Sequence, residues 1–368
     1  MLKNTYFKDL TTLDQVLTTN LADQDTTKFD LITVRTYFAN ANDSLKLNYQ
    51  LGVDLNRETA QGARINSGRE QIGDYAAFAS VEYKPFQNTV VRPGLRYAYN
   101  TAYKSPLTPS LNIKQSIKNS NIRTSYARGF RAPSLKELHF SFVDINHDIV
   151  GNNSLTAETS NNFSLAVNYT KLIQSYLLKM EVSWFYNQID NLISLAQIQG
   201  TQYTYVNIGD FSTHGVQFNT NISYNHFKFG IGATVVGREN VLATTEDISA
   251  YNYSPEIKLK ANYDLVKWNS FVALFYKFNG KLSSFAIDEN DAVYQTYIAS
   301  YQMADITIGK RFWENKIALS IGAKNVFDIK NVNSVASGGA HSGGGGSSLI
   351  ATGRTYFFKF TLNFINEK

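Results

Sequence analysis

The sequence contains no cysteine and only six prolines, three methionines and three tryptophans in 368 residues. Without thiols there is no disulfide framework, no thiolate metal site and no cysteine nucleophile. No stretch approaches the ~18 consecutive apolar residues of a transmembrane helix, so helical membrane spans are excluded. A dense Lys/Arg run is also missing. The net charge of +5 comes from basic residues scattered at strand ends and alternate positions, so nucleic acid is not an expected partner. The opening Met1-Leu2-Lys3-Asn4-Thr5 leads into a polar segment without the apolar core of a secretory signal, so a start further upstream or a fragment is expected. No Gly-x-Ser-x-Gly elbow, His-Glu-x-x-His pair or phosphate-cradling Gly-x-x-x-x-Gly-Lys run occurs, and no metal-ligand spacing stands out, so the chain is not expected to be an enzyme.

What the sequence has in abundance is aromatic side chains, 23 Tyr and 24 Phe, at alternating positions. Successive strand residues point to opposite faces, so alternation reports two different environments. Phe163, Leu165, Val167 and Tyr169 alternate with Asn162, Ser164, Ala166 and Asn168. Val91, Leu95, Tyr97 and Tyr99 alternate with Arg92, Gly94, Arg96 and Ala98, and Ile257, Leu259, Ala261 and Tyr263 with Lys258, Lys260 and Asn262. The last segment sets Tyr356, Phe358, Phe360, Leu362 and Phe364 against Phe357, Lys359, Thr361 and Asn363.

One face is apolar and rich in aromatics, and the other is polar or small. A soluble antiparallel sheet with one wet face shares that pattern. These strands, however, run to about ten residues or more against a usual five or six, and aromatics gather near their ends, as at Tyr97, Tyr99 and Tyr103 or Trp184, Phe185 and Tyr186. Interfacial girdles of membrane barrels have that placement. Short links near 41–43, 85–88, 118–120, 264–265 and 313–315 alternate with long polar links near 58–69, 129–156, 190–202, 240–252, 280–297 and 329–351.

The expected fold is therefore all-β, an antiparallel transmembrane β-barrel of about fifteen strands. They begin near 27, 44, 71, 89, 107, 121, 158, 174, 203, 226, 253, 266, 299, 316 and 353. Residues 1–26 are expected to be a loop or the remnant of an upstream strand, and 27–368 to be barrel. An odd count ending on the short-turn side would start on the opposite side.

Three segments carry a family resemblance. Arg128-Gly129-Phe130-Arg131-Ala132-Pro133-Ser134-Leu135-Lys136-Glu137-Leu138, followed by Gly151-Asn152-Asn153-Ser154-Leu155, resembles the GFRAPSLxEL and NPxL runs of TonB-dependent receptors. Lys324-Asn325-Val326-Phe327-Asp328 resembles their NLFD segment, and Gly353 to Phe364 resembles the closing strand, whose aromatics form the assembly signal. The resemblance implies about two-thirds of a barrel of about 22 strands, in the outer membrane of a Gram-negative bacterium, here without its plug domain. It implies a receptor for a bulky scarce nutrient, with outer-membrane lipid, the TonB complex (through the absent plug) and a surface lipoprotein as partners.

Haem receptors of the family place a histidine between FRAP and NPxL segments. Here His139 and His147 lie between Phe130–Pro133 and Asn152–Leu155, beside Phe140 and Phe142. Imidazole is a natural axial ligand and aromatic rings suit a porphyrin face. His341, in a Gly/Ser-rich segment, is a further candidate contact. Haem or another iron complex is the expected cargo rather than a bound cofactor. A corrinoid cargo, or a truncated barrel without function, are the alternatives.

Overall fold

The structure is a computed structural model; it describes residues 2–9, 24–143, 148–199, 202–239, 251–287, 293–333, 347–349 and 351–363. From the N terminus come β1 (Leu2–Asp9), β2 (Gln24–Asn40), β3 (Leu47–Gly62), β4 (Arg69–Phe86), β5 (Thr89–Asn100), β6 (Thr108–Ile117) and β7 (Ser120–Arg131). A helical turn α1 (Leu135–His139) and two short strands, β8 (Ser141–Val143) and β9 (Asp148–Val150), precede β10 (Glu158–Ile173) and β11 (Tyr176–Asp190). The hairpin β12 (Ile193–Gln199) and β13 (Gln202–Asn207) leads to β14 (Phe211–Tyr224), β15 (Phe227–Glu239), β16 (Tyr251–Leu265) and β17 (Ser270–Asn279). A second hairpin, β18 (Leu282–Ile287) and β19 (Val293–Ile298), precedes β20 (Tyr301–Phe312) and β21 (Ile317–Lys324). The chain closes with β22 (Asn331–Asn333), β23 (Ser347–Leu349) and β24 (Thr355–Leu362).

Sixteen of these strands form one antiparallel sheet in chain order, from β1 at one edge to β24 at the other. The short links all fall at one end. Several turn through left-handed residues, including Lys118, Gln174, Asn225 and Asn269, as tight strand-to-strand turns require. The remaining links extend from the opposite end and carry the helical turn and the small strands. Among the described residues no helix is long and apolar enough to cross a membrane.

Register separates two faces. Leu165 lies opposite Thr124 and Trp184, Val182 opposite Phe218, and Ile321 opposite Ile308 and Phe358. These side chains have nothing over them: Tyr356, Phe358 and Phe360 are 72%, 66% and 53% exposed. An uncovered apolar surface of this extent marks contact with lipid or protein. The opposite face is polar. Arg35 pairs with Asp54 at 2.6 Å, Arg96 bridges Asp54 and Asp74 at 3.0 and 3.1 Å, and Arg311 meets Asp264 at 3.1 Å. Among the described residues, ion pairs between strands of the large sheet fall on this polar face only, which requires access to water.

Aromatics sit at both margins of the apolar face. Tyr97, Tyr99, Tyr126, Phe163 and Tyr186 lie towards the long-link end, with Tyr126 and Phe163 rings 4.9 Å apart. Tyr176 and Tyr224 stack at 4.0 Å near the short turns, and exposed Trp268 and Trp313 stand in other turns at the same end. From Tyr176 to Tyr186 is roughly 33 Å of strand. A ~40° tilt reduces that to roughly 25 Å, the height of a membrane barrel's apolar band.

The strand count and two placements change. A sixteenth strand, β1, lies within residues 1–26, where a loop or the remnant of an upstream strand is expected, and pairs with β2 from Leu2↔Leu31 to Asp9↔Gln24. The count becomes even, and the sheet begins and ends on the short-turn side. The strand expected near 203 is β13 of a separate small sheet, and the large-sheet strand starts at Phe211. Of the expected girdle, Phe185 faces the polar side, opposite Gly215 and Ser164, and Tyr103 packs under the helical turn.

Replacing mid-band Leu165 with Arg should destabilise the folded chain in phosphatidylcholine vesicles by about 2–4 kcal/mol in reversible denaturation. Lysine at Ser183 on the polar face should cost less than about 1 kcal/mol.

Candidate functional site

The long link between β7 and β10 folds back over the polar face. Ser134 starts α1 with a capping box: its Oγ accepts the Glu137 N–H at 3.3 Å, while Glu137 Oε2 accepts the Ser134 N–H at 2.7 Å. Two orphan donors are thereby satisfied within a five-residue helix that could not persist alone. Arg131, last in β7, ties the turn to the sheet. Its Nε and Nη2 donate to the Glu158 carboxylate at 2.5 and 2.8 Å, and its Nη1 to Glu137 at 2.9 and 3.0 Å. Glu158 Oε1 also accepts the Ile193 N–H at 2.7 Å, which draws in the β12–β13 hairpin.

The turn lands on β2–β4. Leu135, Phe29, Ala60, Ile65, Ile72 and Phe140 form one buried cluster, in which Phe29 and Phe140 meet edge-to-face at 5.4 Å. Backbone bonds lock the approach: Asn66 N donates to His139 O at 3.1 Å and Ser141 N to Arg64 O at 2.9 Å. A second cluster joins Leu138, Leu155 and Ile193 beneath Tyr103 and Tyr205. Burial, with Glu137 nearby, pushes both phenols' pKa values up. A four-stranded sheet in the order β12-β13-β9-β8 covers this region.

Beneath this strap lies a cavity of about 550 Å³, lined by Asn56, Glu58, Asp74, Arg96, Asn100 and residues 128–134. Its charged groups are largely consumed internally, Arg96 by Asp54 and Asp74 and Arg131 by its two glutamates. The described residues hold no cluster of three or more metal-ligating acids or histidines.

The residues singled out by sequence occupy distinct places. Arg131, Ala132 and Pro133 belong to the strap, and Pro133 is almost fully buried. Phe130 pairs with Thr159 across the β7–β10 ladder. Asn152 donates to Tyr205 O at 2.8 Å and accepts the Ser154 N–H at 2.9 Å, so it staples the loop to β13. Leu155 is buried. Phe140 is core, its ring taken by Phe29 and Phe142, and Arg64 lies 5.0 Å above Phe142. His139 ends α1 and is half-buried. His147, His341 and Phe364 lie outside the described residues.

Asn325, Phe327 and Asp328 build a clamp at the end of β21. Asn325, left-handed at φ 52°, exchanges hydrogen bonds with the Ile329 backbone at 2.7 and 3.0 Å. Asp328 accepts the Arg354 N–H at 2.7 Å, which holds its carboxyl below the usual range. The Arg354 guanidinium in turn donates to Val326 O at 2.6 and 2.9 Å. Phe327 meets Tyr276 edge-on at 6.5 Å. Tyr356, Phe358, Phe360 and Leu362 line the apolar face of β24. Sequence reasoning missed the receiving side of the strap, Phe29, Arg64, Ile65 and Ile72. No motif marks them; only the fold brings them to residues 135–142.

The sequence matches the family model described as TonB dependent receptor-like, beta-barrel, over residues 2–326. It is 21% identical over 328 residues to the ferrienterobactin receptor of Escherichia coli K12, covering 79% of this chain and 42% of that protein. Among solved structures, a ferric enterobactin receptor variant from Pseudomonas aeruginosa in complex with enterobactin superposes with a TM-score of 0.72 at 14% identity, covering 98% of this chain and 58% of that one. The siderophore receptor PirA from Acinetobacter baumannii gives 0.68 at 16% identity, covering 97% and 58%. The chain spans about half the length of the relatives it matches.

Substituting Arg131 with Gln should loosen the strap without unfolding the sheet. Losing its charge-assisted bonds should cost about 2 kcal/mol locally, read as roughly 30-fold faster protease cleavage between 135 and 143 at unchanged heat-modifiability.

Proposed function

The chain belongs to the TonB-dependent receptor β-barrel family, and from that membership we propose that the complete protein takes up a ferric siderophore across the outer membrane of a Gram-negative bacterium. The family is one of receptors and transporters, not enzymes, and an iron complex is cargo rather than a resident cofactor. The observation that carries the reading is the strap. A loop clamped by Arg131 and seated on Phe29 and Ile65 roofs the polar face at its long-link end and leaves a cavity there. A rigid scaffold carrying a long structured loop is where binding residues are expected.

Two kinds of similarity support iron chelates over the other cargoes. The curated relative is a ferrienterobactin receptor, and structural neighbours are a ferric enterobactin receptor and a siderophore receptor. The feature that suggested haem is weakened locally, because Phe140 is committed to the Phe29 cluster and offers no open face to a porphyrin. Energy coupling would run through TonB and the part of the protein that lies outside this barrel segment.

Ferric enterobactin added to the purified complete receptor should quench its intrinsic fluorescence with a sub-micromolar midpoint, while haemin should show no Soret shift. Failure to bind any ferric chelate, with a haemin Soret shift lost on changing His139 and His147 to Ala, would replace the siderophore reading with haem.

A further inference from the structure

We propose that the apolar face carries a binding site for an anionic lipid across β2–β5, with an acyl chain in a groove and the phosphate at Arg57. The groove holds about 640 Å³. Its floor is Ala77 and Ala79 of β4. Val53 and Leu51 of β3 lie opposite them on one side, and Tyr97 and Leu95 of β5 on the other. All four of these larger side chains are exposed. Towards the long-link end the same face changes row by row. Val34, Leu55, Tyr75 and Tyr99 come next, and beyond them Arg57 stands opposite Gly73. Gly73 has no side chain, so the Tyr75 hydroxyl reaches over it; a Cβ there would meet that oxygen at 2.6 Å. Two rows further on, Lys28 and Arg69 flank Gln61. Arg57, Lys28 and Arg69 are all exposed.

Charge decides what the upper end of this surface takes. On the polar face Arg35 and Arg96 are paired with Asp54 and Asp74. Arg57 Nη2 instead donates to Gln71 Oε1 at 2.6 Å, a neutral acceptor, and no carboxylate among the described residues pairs with it. Asp30, opposite Thr59, is the one acid on the same face of β2–β4 between Arg57 and Lys28; Glu58, Glu70 and Asp74 have the opposite parity and face the polar side. Three cations therefore stand against one carboxylate. A guanidinium with free donors suits a phosphate, and a position just beyond the aromatic margin is the depth of lipid headgroups. Arg57 lies four residues along β3 from Val53, about 13 Å of strand. A soluble anion would gain nothing from a groove at that distance. A lipid carries its charge at one end and hydrocarbon at the other, and it spans both. The site is independent of the cargo's identity.

The test counts lipids retained by the complete receptor in dodecyl maltoside, by native mass spectrometry. The probes are dimyristoyl phosphatidic acid and dimyristoyl phosphatidylcholine, which share their chains and differ in headgroup charge. Phosphatidic acid should bind at least fivefold tighter. Arg57→Gln should abolish that preference and leave phosphatidylcholine binding as it was. Lys171→Gln, which removes an exposed cation at the short-turn margin of the same face, should change neither. Ala77→Phe fills the groove and leaves every cation in place; it should weaken phosphatidic acid fivefold or more, which keeps the test decisive should Arg57→Gln fail to fold. Inorganic phosphate at the same concentration should not compete. Equal retention of the two lipids by the wild type, a preference that survives Arg57→Gln, or unchanged binding in Ala77→Phe overturns the proposal. Competition by inorganic phosphate would reduce the site to one for a soluble ion, and a dimer that excludes both lipids would give the face to a second copy of the chain; either result also overturns it.

Discussion

Backbone amides in hydrocarbon have no water to bond, and every one must find a partner within the protein. The long antiparallel ladders meet that requirement strand by strand, in unbroken registers such as the fifteen pairs from Thr159↔Asp190 to Ile173↔Tyr176. Once the chain is committed to a sheet, side chains must alternate, and the two faces must answer to different solvents. Ion pairs collect on one face and uncovered Phe, Tyr and Leu on the other. Low mean hydropathy and a membrane location are compatible because only alternate residues meet lipid.

The loop end follows a second logic. Water is available there, so irregular backbone is allowed, but a long loop has to be held in place. Arg131 and Glu158 do this at the rim of the sheet, and the capping box and the Phe29–Phe140 contact extend the hold across β2–β4. The motif residues Asn152, Asn325 and Asp328 act in the same way. Their side chains replace backbone partners at turns that the ladder cannot satisfy. Much of what looks like a recognition motif in this chain is the means by which loops are tied to strands.

Alternation made the large sheet legible in the sequence, because a period of two sustained over ten or more residues is the mark of an extended strand between two unlike environments. Most of its strands begin within a few residues of where alternation places them, β1 and β14 excepted, and β24 is readable along Tyr356–Leu362. Where the pattern was local it misled. Gln202–Asn207 alternates like a membrane strand, yet its partners are β12 and β9. Tyr103 and Phe185 resemble girdle aromatics in composition but not in parity or depth. Phe140 beside His139 suggested a ligand pocket, and its burial against Phe29 arises from a contact more than a hundred residues distant in sequence. Side-chain pairings across the sheet, including Arg96 with Asp54 and Asp74, depend on register and leave no signature in the sequence itself.

Two faces meeting different solvents is the central claim, and accessibility along one strand measures it most directly. A nitroxide placed in turn at each position from Tyr176 to Tyr186, with the chain in lipid vesicles, should alternate with a period of two. Even-numbered positions such as Val182 and Trp184 should favour oxygen, and odd-numbered positions such as Glu181 and Ser183 should favour a polar nickel chelate. Uniform accessibility along β11, or oxygen preference at the odd positions, would contradict the two-faced sheet.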